Sequence, residues 1–585
     1  MRVKMLILLV LTSLGLIGCG GSGEKKPVER SLVVASGNFN GDFYEGWTNT
    51  VDDNNIRKLV WGSGLYAATP TGERVLSPMV ESLVKSKSNE KDIEEIWTFK
   101  IKEGLKFSNG QPLTAKDVKF TYDFFMNNEA LNATGATSTL SQFVDRIEFD
   151  EENNSVSYYI KDVLYIIDGY FMYNTLSKDI IEAGAKKDNI TPQQWVKANI
   201  NTPVGNGPYM ISEYVPSQYV KLVINPYYIG NYEGDKPSIK TIIMQNVPEE
   251  TKMNQLVAGE IDVISGVTSE EDINTVKSDP HLATNTYLRH GGGQLTFHTD
   301  FGPVQLLEVR EAFSYMLDRI KFRQILIGDY AIETNAPYSR NMWMMYDDDE
   351  KLGTPSRFEA TLKSYDIVDA DGNWDEQANL KEARRLLDQA AKKTDGAYVH
   401  LTKVGDKYLW RNKPLELTFG MTPFWVDPVN LTLTKKIQEE FGMLINIEAI
   451  DWSILSKHLY SSAPASERRY HLFAGSTSYA IKTDYSASKA DRILPFGQGV
   501  TSNTSRYPIS DDLLDRMRYA DPSSEEGKIR YKKAFREYMK VMNTEIPQVP
   551  LYTNIYYDAY PSDLVDFETS PLWRMPEAIV KAKFK

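Results

Sequence analysis

The sequence predicts a mixed α/β protein with more than one domain. Three observations carry that reading. Short stretches of period-two hydrophobicity alternate with stretches of helical period along the whole chain. The chain has 585 residues, room for two to four domains at roughly 100–200 residues each. Composition is 42% hydrophobic, 11% aromatic and 25% charged, which is ordinary for a globular protein and excludes collagen-like and intrinsically disordered classes.

The elements follow in order. Residues 31–36, Ser-Leu-Val-Val-Ala-Ser, form a short buried-strand candidate, and 95–101 alternate apolar and polar as a strand does. Gly104 and Asn109-Gly110 punctuate turns around Phe107. Thr114 then starts a helix with Asp117 three residues on, the spacing of a capping box. Residues 155–160 and 220–225 alternate as strands. Residues 249–258 form a helix ended by Gly259, and 260–264 follow as a strand. Val309, Ala312, Phe313, Met316, Leu317 and Ile320 share one helical face, as do Ala383, Leu386, Leu387 and Ala390. Ser523 with Glu526 caps a long C-terminal helix. Residues 347–415 are the most polar and turn-rich, an expected surface insertion. No repeat of 20–50 residues is visible.

Net charge is −13, so the chain lacks the basic field that nucleic-acid binding uses, and no nucleic-acid partner is expected. Six histidines and one cysteine leave no intrachain disulfide and no cysteine-rich metal site. That cysteine falls at a telling place. Arg2 and Lys4 precede an apolar stretch, 5–17, too short for a comfortable membrane span. The stretch ends in Leu16-Ile17-Gly18-Cys19, which resembles a bacterial lipobox. The resemblance implies a signal peptide over 1–18, lipidation of Cys19 and a flexible tether over 19–30. Gly18, Gly20 and Gly23 also match a dinucleotide-binding fingerprint, but no strand of a βαβ unit precedes them.

Five blocks, in order along the chain, resemble the extracellular solute-binding proteins that include the oligopeptide- and dipeptide-binding proteins of ABC transporters. The first runs from Trp97-Thr98-Phe99 through Gly104-Leu105-Lys106-Phe107-Ser108-Asn109-Gly110 to Asp117-Val118. The second is Gly205-Asn206-Gly207-Pro208-Tyr209 with Asn225-Pro226-Tyr227-Tyr228. The third is Gly259-Glu260-Ile261-Asp262. The fourth is Val309-Arg310-Glu311-Ala312-Phe313 with Leu317-Asp318-Arg319. The last is Asp512-Leu513-Leu514 with Ile546-Pro547-Gln548-Val549-Pro550-Leu551-Tyr552. Glycine and proline in these blocks are turn chemistry and the aromatics are core, so the blocks speak for fold more than for ligand.

The resemblance implies an α/β, two-lobed, periplasmic-binding-protein-like (Venus-flytrap) fold with an extra third subdomain. Mapped onto this chain, lobe I takes 31–60, 200–300 and 520–585, the extra subdomain 61–199, and lobe II 301–519. It implies a lipid-anchored, monomeric substrate-binding protein of an ABC importer. Such a protein would sit outside the cytoplasm on a bacterial cell membrane, at the cell surface or in the periplasm. It would capture oligopeptides by lobe closure and deliver them to a membrane permease, with no cofactor and no catalysis. The alternatives are an oligosaccharide or another small solute in the same cleft, a peptide-sensing signalling receptor, or a secreted hydrolase.

By position in the family, Gly475, Ser476 and Thr477 offer the backbone edge that grips an extended ligand. Trp452, after Asp451, is an aromatic wall of the cleft or simply core. Asp484, followed by Tyr485, is the nearest match to a carboxylate that pairs with a ligand amino group; as a loop residue it reads equally as a solvated carboxylate. Its spacing from Gly475 is longer than the family's, and His471 stands where an Asp often begins the strand.

Enzyme signals fail. No Gly-x-Ser-x-Gly elbow, phosphate loop or His-x-x-x-His pair occurs. His290 and His298 share strand parity but flank glycines. The segment from Asp369 to Asp375 resembles a calcium loop, yet its glycine comes early and Leu380 stands at the twelfth position. Asp347-Asp348-Asp349-Glu350 reads as a solvated surface run. No metal is expected.

Overall fold

The computed structural model describes residues 30–44, 50–126, 143–163, 167–459, 467–478, 508–520 and 524–585. Three large sheets organise these residues. In the first, strand Leu32–Ser36 runs parallel to Thr241–Asn246, followed by Tyr219–Ile224 and Tyr209–Val215. In the second, Val80–Lys87, Glu95–Ile101, Ser155–Ile160 and Val144–Asp150 pair in antiparallel order. The third has eight strands and is threaded by the longest strand of the molecule, Gln548–Pro561.

Local chemistry fixes these elements. In Glu95–Ile101 the residues Trp97, Phe99 and Ile101 are buried while Lys100 faces out, as a two-residue period requires. Gly110 adopts φ +85°, the left-handed turn conformation its place after Asn109 calls for. The helix Ala115–Met126 begins after Thr114, whose backbone N–H donates to the Asp117 carboxylate at 2.9 Å. A second amide, from Lys178, donates to the other Asp117 oxygen at 3.0 Å.

The family-like blocks have identifiable work in this architecture. A Cβ on Gly207 would lie 2.6 Å from the Val60 carbonyl oxygen, to which the Gly207 N–H donates at 2.8 Å. Only glycine allows that approach. Asn225 in turn donates to the Gly207 carbonyl at 2.9 Å. Asp262 accepts the Val33 N–H at 2.8 Å and so pins the first strand. Arg310 donates to the carbonyls of Glu545, Ile546 and Val304, and the fully buried Arg319 donates to Pro550 at 2.9 Å and to both oxygens of Asp366. These two arginines hold the backbone that feeds the long strand.

The cores are interleaved in sequence. One gathers residues 32–61, 124–125, 176–263 and 560–582. Another gathers 295–474 with 546–552. A third lies under the second sheet. A fourth packs the buried face of helix Glu525–Glu545 on 336–362 and 513–517.

Five local expectations change. The helical face from Val309 to Ile320 is two helices, Leu307–Ser314 and Arg319–Leu326, because Asp318 caps the second by accepting the Lys321 N–H at 2.8 Å. The strand expected at 260–264 starts four residues later, at Ile264–Val267. The C-terminal helix is capped by Ser524, which accepts from Gly527; Ser523 lies outside the described residues. The polar segment 347–415, expected as a surface insertion, instead supplies Tyr365, Leu380, Leu387 and Tyr408 to a core, through the helix Glu376–Ala390 and a small three-stranded sheet. Within it, Asp369 accepts the N–H groups of Asp371 and Asn373 at 2.9 Å, a tight turn in which the carboxylate serves its own backbone. The acidic run at 347–350 is paired rather than merely solvated: Arg357, Lys532 and Arg536 all bridge to it.

Candidate ligand-binding site

The third sheet changes partners along its length. The strand Gln548–Pro561 pairs with Gly291–Phe297 over 548–552 and with Leu282–Leu288 over 555–561. Leu282–Leu288 and Gly291–Phe297 are themselves consecutive, so two chain segments, 289–292 and 553–554, cross side by side between the two halves. The crossing is tied directly. The Arg289 N–H donates to the Asn554 carbonyl at 2.9 Å, Thr553 Oγ1 donates to Gly291 O at 2.7 Å, and Ser339 Oγ donates to Arg289 O at 2.8 Å. A third short strand, Ala331–Ile332, pairs with Asn554 and Thr553 at the same place, so the described crossing is short and hydrogen-bonded from both sides.

Beside the crossing lies the expected grip segment. Strand Leu472–Ser478 pairs antiparallel with Gly291–Phe297, setting Ser478, Thr477, Ser476 and Gly475 opposite Gly291, Gly292, Gly293 and Gln294. On its other edge it pairs with Glu416–Met421 only at Leu472 and Phe473. Among the described residues, no strand pairs the outer edge from Ala474 onward. That edge therefore carries backbone donors and acceptors that an extended chain can match.

The same end of the sheet gathers aromatic rings. Glu416–Met421, Leu444–Ala449 and Leu472–Ser478 run parallel, so their C-terminal ends share one side, the side where ligands bind in open α/β sheets. Met421 and Ala449 are register partners. Three residues beyond each stand Phe424 and Trp452, 64% and 36% exposed. Trp452 thus begins a helix, Trp452–Leu459, with about a third of the residue exposed. Gly475 is part-exposed and a Cβ built on it meets nothing within 4 Å, so its surroundings are open.

Under this rim the packing is tight. Tyr552 is buried, and its ring occupies the space a side chain at Gly293 would need. Trp425 stacks on it at 6.4 Å, and Phe322 stacks on Trp425 at 5.9 Å. Burial raises the pKa of the Tyr552 hydroxyl, opposed by the Arg289 charge and by hydrogen bonding with Ser476 and Arg289.

Of the residues expected from sequence, the structure brings Gly475, Ser476 and Trp452 to one end of one sheet, with the Thr477 backbone in the same strand. Asp484, Tyr485 and Cys19 lie outside the described residues. Sequence reasoning missed Phe424, Tyr552 and Arg289; the signal available was the position of Phe424 directly after a strand, in step with Trp452. At the opposite end of the sheet His298 and His471 are held neutral. Burial lowers both to a pKa of about 4, and His471 Nδ1 accepts the Thr418 N–H at 2.9 Å. Among the described residues no cluster of three His, Cys, Asp or Glu converges on a metal position, and no helix is long and apolar enough to cross a membrane.

Comparison with known proteins places this architecture. Residues 79–489 match the family model of bacterial extracellular solute-binding proteins, family 5, middle region. The oligopeptide-binding protein OppA of Bacillus subtilis is 24% identical over 344 residues, covering 54% of this chain and 58% of that one. The chain spans less than two thirds of the length of the first curated relatives it matches. Among solved structures, AppA from Bacillus subtilis in complex with a nonapeptide superposes with a TM-score of 0.71 at 19% identity, covering 95% of this chain and 99% of that chain. NikZ from Campylobacter jejuni in complex with Ni(L-His) gives 0.69 at 17% identity, covering 94% and 99%. These are flytrap folds of binding proteins, not of enzymes. The chain belongs to the bacterial extracellular solute-binding proteins of family 5.

Proposed function

We propose that this protein captures peptides between two lobes and hands them to the membrane permease of an ABC importer. One observation carries the reading: the unpaired edge of Leu472–Ser478 beside the crossing segments, where an extended peptide would add as a strand. The solved complexes of AppA with a nonapeptide and of OppA relatives with peptide support it. Gly475, Ser476 and Thr477 would grip the ligand backbone and Trp452 would wall the cleft. Asp484 and Tyr485 would follow the grip as candidates for the ligand amino terminus.

The lobes would divide at the crossings 289–292 and 553–554. Segments 31–60 and 200–288 form the first lobe, 61–199 its added subdomain, and 301–519 the body of the second. Helix Glu525–Glu545 packs on 336–362, so it would ride with the second lobe, not with the first as the sequence reading of 520–585 had it. With the signal peptide 1–18 removed, lipidated Cys19 and the segment 19–30 would tether a monomer outside the cytoplasmic membrane.

A ligand screen by thermal denaturation tests the function. A ligand that binds only the folded state at 100 times its Kd stabilises by about 2.7 kcal/mol, so short peptides should raise the Tm. Stabilisation by oligosaccharides or metal chelates with none by peptides would overturn the reading. Replacing Cys19 by Ser in a bacterial host should move the protein from the membrane to the soluble fraction; unchanged membrane recovery would overturn the anchor.

A further inference from the structure

The helix Trp452–Leu459 is held to the third sheet by a small apolar patch. Among the described residues only Leu455, Tyr470 and Phe473 are buried in it, with Ile450 and Leu459 packed at its edge. His298 is set into that patch. It is 1% exposed, its ring meets Phe473 edge-on at 4.9 Å, and its Nδ1 lies 3.0 Å from the Tyr470 carbonyl oxygen. Nδ1 therefore carries the proton and Nε2 is an acceptor. That buried nitrogen has no hydrogen-bond partner; the Leu459 carbonyl lies by the ring without closing a bond. A buried nitrogen left this way calls for an explanation.

The surroundings oppose an imidazolium. Arg468, buried and bridged to Asp300, bears on His298 with its positive charge. So does His458 from the helix, whose ring meets Tyr470 edge-on at 5.0 Å. His471 is the third histidine of the cluster, and its Nδ1 already accepts the Thr418 N–H. Glu448 is engaged by Arg469 and by the Tyr470 hydroxyl. Asp451, Lys457 and Glu467 are exposed. No carboxylate bonds to the His298 ring.

We propose that this cluster is an acid-sensitive latch: neutral His298 keeps the helix Trp452–Leu459 on the sheet, and its protonation lets the helix lift. Burial holds the closed His298 at a pKa of about 4, against 6.5 once the helix lifts and water enters. The closed state is therefore fully favoured above pH 6.5 and loses ground as pH falls toward 4. At pH 5 the bias toward the lifted state is about 30-fold. Trp452 starts the helix, so lifting carries its ring, and acidity would reach the cleft wall proposed above. The latch itself goes beyond the peptide reading and is tested without ligand.

The test follows one ring. Emission of the full chain minus that of Trp452→Phe isolates Trp452 from the other tryptophans, and far-ultraviolet circular dichroism follows the fold, both from pH 7.5 to 4.5. The Trp452 signal should change reversibly below pH 6.5 while the dichroism holds. In His298→Gln, whose side chain cannot charge, that change should be lost; His281→Gln, at an exposed histidine, should keep it. Arg468→Gln removes a repelling cation, so the onset should move to higher pH, and it decides the matter where His298→Gln does not fold. A Trp452 signal flat across the range would overturn the latch. So would a change that survives in His298→Gln, an onset that Arg468→Gln leaves in place, or a change that coincides with loss of dichroism.

Discussion

Replacing Gly293 by alanine tests the joint between hinge and grip. In a strand interior, glycine to alanine ordinarily stabilises by roughly 0.4–1 kcal/mol through the unfolded chain. Here the added Cβ would lie 2.3 Å from Tyr552 Cε1 and 2.7 Å from its Cζ. Normal contact begins near 3.4 Å, so the ring would have to retreat by about 1 Å. It has nowhere to go. Trp425 and Phe322 stack against it, both at 6.4 Å, and Tyr552 is buried. Overpacking of this kind costs about 1–3 kcal/mol, so the net effect should be destabilisation by about 1–2 kcal/mol. Urea unfolding followed by tryptophan fluorescence measures it. In a Tyr552→Ala background the clash is gone and Gly293→Ala should be neutral or slightly stabilising, giving a coupling of at least about 1 kcal/mol. Coupling within about 0.5 kcal/mol, the range of independent sites, would refute the packing argument, as would a Gly293→Ala protein more stable than wild type.

Two further outcomes follow from buried charge. His298 and His471 are lowered to about 4, chiefly by burial and also by the charges of Arg468 and His458 on His298 and of His298 on His471. Because the folded form resists protonation, stability is intact above about pH 6.5 and falls as pH drops toward 4, by up to roughly 3 kcal/mol per histidine; urea midpoints at pH 7 and pH 4.5 should differ in that sense, and His471→Gln should shrink the difference. Arg319→Ala leaves the buried Asp366 carboxylate and the Pro550 carbonyl without their guanidinium, so denaturant titration should show a loss of about 3–5 kcal/mol; a loss under 1 kcal/mol would refute the clamp.

Much of the fold was legible in the sequence because its signals are local. The alternation in 95–101, the Thr114–Asp117 pair and the glycine ending 249–258 each act within a few residues, and each stands where it was expected. The break between Ser314 and Arg319 was hidden because apolar periodicity runs straight through it, while the cap on Asp318 decides. The site was legible only in part. Leu472–Ser478 reads as a strand, but which of its edges stays open depends on where Glu416–Met421 stops pairing. Phe424 and Trp452 are 28 residues apart, and the parallel register of Glu416–Met421 with Leu444–Ala449 is what brings the chain after each strand to the same end of the sheet. Tyr552 and Gly293 are farther apart still, and their complementarity is a matter of shape, which no spacing rule contains.

The interleaved core has a consequence for how the molecule is made. The sheet that begins at Leu32 is covered by residues as late as Ile579 and Ala582, so the first strand synthesised waits for nearly the last turn of chain. Contacts this distant in sequence slow folding and prolong exposure of apolar surface. A chain truncated before residue 560 would therefore keep the first sheet but lack the residues that cover it, and it should accumulate as an incompletely folded, protease-sensitive species however much of its sequence it retains.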